Sequence, residues 1–449
     1  MQAVEGSAVD TQPSSIAEDK GSIGIWMTSA LVVGTMIGSG IFMLPVSLAP
    51  LGANAIFGWV ISSAGALAIA FALATLSRLG GDGIQANVER QLGRLAAFLV
   101  AWSFWVSNLA SEAAVAIAGA SALSWISPSL SGSSFVVLVA VGSVAFFTGV
   151  NAFGVRASGV ASIVTVAIRL VPLVGVILIL ALRGFGPTPF EHLARAPMNF
   201  GNIAMATTLA FFALTGFENA TTPVGKVRNP SRTIPRAIMA GTLFVAIVYL
   251  LSSSAVQLLL PAEVVAKSPA PFADAIAAAW GGKLASVAAL GIAVAAFGCL
   301  NALILASGEL GYAMGLRHDL PAAMARTSTG NTPVVSQVAG SVLAILLILA
   351  NSSRSSAGLF TFVILLSTSV VLVLYLAGAL SAWRLVSTAR GRAVIIVALL
   401  FILFAFFGAG FEPDAWCLVL LAIGAAVRAV VQRLSGRAGL RAALLTSAD

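Results

Sequence analysis

The chain has 449 residues, of which 59% are Ala, Val, Ile, Leu, Met, Phe, Trp, Tyr or Cys and 9% are charged, with a formal net charge of +8 and a mean hydropathy of +1.02. A soluble domain carries about a quarter charged residues, so this chain lacks the polar surface to cover a globule in water and reads as an all-α integral membrane protein. Its basic residues sit at the ends of apolar runs and form no single patch, which argues against a nucleic-acid partner.

Residues 1–22 are polar and mostly acidic, the composition of a disordered tail, and they lack the basic start and cleavage site of a signal peptide. A helix needs about 20 mainly apolar residues to cross the hydrocarbon. Windows of that kind fall at 23–50, 54–76, 95–126, 135–153, 157–182, 203–224, 234–259, 284–314, 334–350, 359–383, 393–410 and 415–431, about twelve in all. The runs are too long and too little alternating for β-strands.

Orientation follows from Lys and Arg in the connecting loops. Of the 24 basic residues, eighteen fall on the side that carries both termini, five on the other, and Arg169 alone lies inside a span. Both termini are therefore expected to face the cytoplasm, in a bacterial cytoplasmic membrane.

Two spans are interrupted. The first holds Gly34-Thr35-Met36-Ile37-Gly38-Ser39-Gly40 ahead of Pro45. Glycines around a serine weaken a helix at mid-membrane and free backbone groups that need partners. Either a ligand in a central cavity supplies them, or the small residues mark close helix packing. The sixth span holds Phe212-Ala213-Leu214-Thr215-Gly216-Phe217-Glu218-Asn219, with a carboxylate inside an apolar run. Spans one and six are equivalent if the bundle is two five-helix repeats, and paired breaks of that kind point to a transporter's central site. The positive end of a half-helix suits a carboxylate and freed carbonyls suit an ammonium, so an α-amino acid or related amine fits best.

Glu112, Arg169, Glu218 and Glu309 are ionisable residues within apolar runs, each a functional candidate by default. Glu309 is also placed to lie near the interface, because its run leads into the loop at 315–326. Arg169 is a fixed positive charge and no proton carrier, so a proton-linked step has to use Glu112 or Glu218. The basic turn from Lys226 to Arg236, with Pro230 and Pro235, reads as an interfacial anchor. Cys299 and Cys417 read as buried structural cysteines, and no metal or cofactor is expected.

Gly38-Ser39-Gly40-Ile41-Phe42, Phe217-Glu218-Asn219 with the following Lys226-Val227-Arg228-Asn229-Pro230 and Ile234-Pro235-Arg236, and Asp319-Leu320-Pro321 resemble the amino acid–polyamine–organocation superfamily, most of all its basic amino acid and polyamine antiporters, including arginine/agmatine antiporters. The resemblance runs from about Ile23 to Leu385. It implies a leucine-transporter-type fold of two inverted five-helix repeats (23–385) plus two further helices (386–433) and a cytoplasmic tail (434–449). It also implies that Ser39 and Gly40 receive the substrate carboxylate, and that the carbonyls of Met36, Phe212 and Thr215 receive its ammonium. Phe212 takes the place of a gating tryptophan, and Glu218 that of a glutamate tied to gating and proton sensing. Phe104-Trp105 sets the register of span three, putting Ser107 and Asn108 at side-chain contacts and Glu112 where these antiporters carry an uncharged amide. Phe360 and Ser367 of span ten fall on pocket positions, with Tyr375 fixing the register. Arg169 matches a lysine that replaces a sodium ion in proton-coupled relatives. The departures are the tyrosine-free segment at 81–87 and Leu303 at or near the place of a stacking tryptophan.

The expected function is a secondary active transporter of amino acids, with cationic ones such as arginine or related amines favoured by Glu112. A proton-coupled permease for neutral amino acids is the alternative. The partners are a small-molecule substrate and the bilayer, with homodimerisation left open. A membrane enzyme is disfavoured, since the only histidines, His192 and His318, lie in loops on opposite faces. A channel would want a charged ring or filter instead of paired breaks.

Overall fold

The computed structural model describes residues 24–38, 40–79, 83–127, 132–153, 159–184, 190–218, 227–328 and 331–446, and no β-strand occurs among them. The first half holds α1 (Ile25–Met36), α2 (Gly40–Leu48), α3 (Asn54–Ser77), α4 (Ile84–Leu92), α5 (Arg94–Ile126), α6 (Ser133–Ala152) and α7 (Gly159–Arg183). The second holds α8 (Phe200–Leu214), α9 (Pro230–Leu259), α10 (Ala262–Lys267), α11 (Pro271–Trp280), α12 (Gly282–Leu316), α13 (Val334–Ala350), α14 (Ser356–Trp383), α15 (Ala389–Ala409) and α16 (Phe411–Thr446).

Among the described residues, nine helices are long and apolar enough to cross a bilayer, α1 and α2 make one further span bent by 50°, and α8 and α13 are shorter apolar helices. Each of the twelve hydropathy windows thus coincides with a helix or with the bent pair, nine of these helices being long and apolar enough by themselves to span. The windows missed α4, α10 and α11. In α4, Ile84 and Val88 are buried while Glu89 and Arg90 point outward, so its sequence is polar on average and only its periodicity marks it. Several helices start on side-chain caps, among them Asn199 on α8, Ser355 on α14 and Thr388 on α15, each accepting from the backbone N–H three residues on.

α5 and α14 are the most buried spans, and α5 packs along both α12 and α14. α1 packs on α9 and α8 packs on α3. Those two contacts exchange under an inverted repeat, since span one on span seven becomes span six on span two. α15 lies on α8, α3 and α14, while α16 lies on α14 and α5. The α8–α15 approach depends on Gly408, where a Cβ would lie 2.1 Å from the Ala204 carbonyl oxygen.

Polar contacts between loops confirm which helix ends share a face. On the basic face Arg317 pairs with Glu89, Arg428 with Asp319 (2.7 Å), and Arg384 donates to the Gln91 carbonyl. On the opposite face Ala262 N–H donates to the His192 carbonyl (2.8 Å), Trp125 Nε1 to Asp274 (2.6 Å), and Arg354 pairs with Glu412 (2.5 Å). A missed or extra span would have put these partners on opposite sides.

Candidate functional site

α1 stops at Met36, and Ile37 leaves the helical region with ψ 79° before α2 begins at Gly40. The carbonyls released there are held by polar groups. Met36 O accepts from Gly38 N–H (2.7 Å) and from the Tyr249 hydroxyl of α9 (3.2 Å). Ile37 O accepts from Arg169 Nη1 of α7 at 2.6 Å. Arg169 is only 5% exposed, so a full positive charge is spent on a peptide carbonyl at mid-bundle.

α8 stops at Leu214. Thr215 turns extended (ψ 164°), its N–H and hydroxyl both reach the Phe212 carbonyl (3.3 and 2.7 Å), and Gly216 takes φ +112°. Few L-residues adopt that φ, and a Cβ on Gly216 would lie 2.8 Å from Thr35 O of the other break. Likewise a Cβ on Gly40 would lie 2.6 Å from Cε1 of Phe212. The two interruptions interlock, each needing a glycine where the other approaches.

Gly216 N–H donates to the Glu218 carboxylate (3.0 and 3.2 Å), which also accepts from the Tyr375 hydroxyl of α14 (2.8 Å). The Tyr375 ring stacks on Phe217, centroids 5.4 Å apart and 18° from parallel. Glu218 thus ties the span-six break to α14.

α5 carries two further polar patches. Facing α14, the hydroxyls of Ser107 and Ser111 lie 2.9 and 3.0 Å from that of Ser367, which also reaches the Ser107 carbonyl (3.0 Å). Facing α12, Glu112 is fully buried; Oε1 accepts from Ser307 Oγ (2.5 Å), while Oε2 has no partner among the described residues. Trp105 Nε1 donates to the Ser307 carbonyl (3.1 Å) and so braces that contact. Asn108, one turn before Glu112, is buried at 8% exposure. α2 packs against both α5 and α14.

Met36, Gly40, Phe212, Thr215, Glu218 and Arg169 therefore gather at one centre. Ser107 with Ser367, and Glu112 with Ser307, make two further polar contacts along α5. Ser39 and the second half of span six from Asn219 lie outside the described residues. Glu309 is exposed on α12. Cys417 is buried, its thiol on the Ser369 carbonyl (3.5 Å). Cys299 departs from expectation: it is half-buried, with Sγ 3.9 Å from where a Cβ on Gly38 would stand.

Tyr249, Ser111 and Ser307 were not singled out from sequence. A signal for Tyr249 existed. The chain has three tyrosines, and one inside an apolar span needs a partner for its hydroxyl. Serines spaced along α5 and α12 carry no comparable signal.

The family model described as "Amino acid permease" matches residues 23–433. The cadaverine/lysine antiporter of Escherichia coli (strain K12) is 30% identical over 354 residues, covering 75% of this chain and 77% of that one. The putrescine transporter PotE of the same strain is 31% identical over 264 residues (57% and 59%), and that of Haemophilus influenzae 26% over 345 residues (74% and 77%). Among solved structures, MhsT in complex with L-phenylalanine superposes with a TM-score of 0.60 at 15% identity, over 85% of this chain and 98% of the other. That likeness concerns the fold.

Proposed function

Since the chain belongs to the amino acid permease family, we propose that it exchanges cationic amino acids for amines across the bacterial cytoplasmic membrane, with both termini in the cytoplasm. The protein is a multi-pass membrane transporter of the basic amino acid and polyamine antiporter type, a secondary carrier of amino acids or amines and not an enzyme. What remains is which substrate it takes and how its residues divide the work.

In our reading the substrate's α-carboxylate meets the start of α2 at Ser39 and Gly40, where half-helix N–H groups carry positive potential. Its α-ammonium meets the carbonyls of Met36, Phe212 and Thr215. These accept local donors in the structure described above, so the substrate has to displace or share them. Phe212, whose ring covers Gly40, closes over the bound molecule. Ser107, Asn108 and Ser367 contact its side chain, and Glu112 receives the cationic end. Glu218, bonded to Tyr375 and to the Gly216 N–H, couples substrate or proton arrival to closure of span six. Arg169, which matches a lysine that replaces a sodium ion in proton-coupled relatives, holds the Ile37 carbonyl.

The observation that carries the cationic reading is the fully buried Glu112 oxygen without a partner. A buried carboxylate left half satisfied is costly, and an ammonium or guanidinium satisfies it. The cadaverine/lysine and putrescine names of its relatives support the same class.

Reconstituted protein is expected to take up labelled lysine or arginine when cadaverine, putrescine or agmatine is loaded inside the liposomes, with no dependence on a sodium gradient. Uptake of neutral amino acids driven by a proton gradient, with no internal amine, would establish the alternative permease. Absence of uptake of any amino acid or amine above empty liposomes would end both readings.

A further inference from the structure

On the basic face, a cavity of about 360 Å³ lies between the end of α3 and the start of α9, lined by Arg78, Arg232, Pro235 and Arg236. Its size is that of small-ligand pockets, which begin near about 300 Å³. Arg232 and Arg236 are one helical turn apart and so share a side of α9, and Arg78 caps the end of α3 opposite them.

Nothing among the described residues neutralises these guanidinium groups: none of the three has an ion-pair partner or a side-chain hydrogen bond. Several other arginines of the same face are engaged. Arg317 and Arg428 meet Asp319, Arg384 meets the Gln91 carbonyl, and Arg392 reaches the Val386 carbonyl and lies over the Trp383 ring. Three like charges around one hollow repel each other, and an anion placed among them reverses the sign of that interaction. Guanidinium groups suit phosphate oxygens because their planar forks bind them two at a time. The α9 N-terminus adds positive potential on the same side.

We propose that Arg78, Arg232 and Arg236 form a binding site for a phosphoryl anion at the membrane surface, distinct from the transport centre. An anionic phospholipid headgroup and inorganic phosphate share that chemistry. Basic pockets between spans on the cytoplasmic side are suited to such headgroups. Occupancy would tie α3 to α9, the two spans that carry α8 and α1 on their flanks, and so brace the scaffold against which both broken helices lie.

The test uses the full chain in nanodiscs of phosphatidylcholine with increasing phosphatidylglycerol. Lipid retained by the released protein is counted by native mass spectrometry, and inorganic phosphate is titrated separately against melting temperature. Saturable phosphatidylglycerol retention that falls at least fivefold in Arg232→Gln/Arg236→Gln, and stays unchanged in Arg390→Gln, establishes a lipid headgroup site. Saturable stabilisation by phosphate with equal retention of both lipids establishes the free anion. Wild-type protein that retains both lipids equally and ignores phosphate overturns the proposal, without any variant having to fold. Equal losses from Arg390→Gln and Arg232→Gln also overturn it, since diffuse attraction to the surface then accounts for the binding. Lysine or arginine uptake is read in parallel and is not the criterion.

Discussion

At Glu112 a single oxygen separates two descriptions of the same residue. Oε1 is bonded to Ser307 and would stabilise the α5–α12 seam in any membrane protein, whereas Oε2 has no hydrogen-bond partner among the described residues. Glu112→Gln keeps the shape and one acceptor but removes the charge. A hydrogen bond to a charged group contributes about 1.5–3 kcal/mol, so KM for lysine or arginine is expected to rise about 10- to 100-fold, at roughly tenfold per 1.4 kcal/mol. Inhibition constants for neutral amino acids should move little; an equal rise for both classes would put Glu112 outside the pocket. Arg169 bears on the backbone directly. Arg169→Met leaves the Ile37 carbonyl buried without its donor, costing about 1–3 kcal/mol, and should lower the melting temperature and abolish transport. Arg169→Lys, keeping charge and reach, is expected to recover part of both. Tyr249→Phe removes only the hydroxyl on Met36 O, a loss of about 1 kcal/mol, and should slow exchange with little change in fold.

Whole helices fail or succeed at the two breaks because each was shaped by the other. At Gly216 a methyl group meets both an unfavourable φ of +112° and the Thr35 carbonyl at 2.8 Å. A non-glycine residue in such a region costs on the order of 1–3 kcal/mol, before the clash is counted. Gly216→Ala should therefore fold poorly or lock span six away from span one, with uptake below a tenth of wild type at equal protein per vesicle. Gly40→Ala meets only the edge of the Phe212 ring, a side chain that can rotate. It is expected to fold and to retain binding with reduced turnover, and pairing it with Phe212→Leu should restore part of the rate. Full activity of Gly216→Ala would show that the interlock is incidental.

Across the molecule, the basic face is held by a network that runs from Glu89 on α4 through Arg317 and Asp319 after α12 to Arg428 on α16, with Arg428 also over the Phe98 ring at 5.1 Å. Exposed ion pairs contribute about 0–1 kcal/mol, but Asp319 is 5% exposed, so removing one partner leaves a poorly solvated charge. Asp319→Asn alone is expected to destabilise more than Asp319→Asn with Arg428→Gln, a difference readable in a thermal double-mutant cycle. Alternating access has to open this face. If the network holds it shut, the single variant should also accelerate cysteine labelling at Cys299, which lies beside the span-one break.

Sequence by itself determined the medium, the all-helical fold, the positions of both breaks and the family. Hydrocarbon leaves no water for an unpaired peptide group, so every span has to be a long apolar helix, and every departure from that pattern is written in the residue string. It could not assign partners. That the Ile37 carbonyl belongs to Arg169, 132 positions away, that Glu112 shares a proton donor with α12, and that Gly216 exists to admit Thr35 are facts of packing between distant segments. Hydropathy averages over such pairings, because a helix in lipid is equally apolar whichever neighbour it faces; only the folded arrangement decides which buried polar atoms meet and which, like one oxygen of Glu112, find no partner among the described residues.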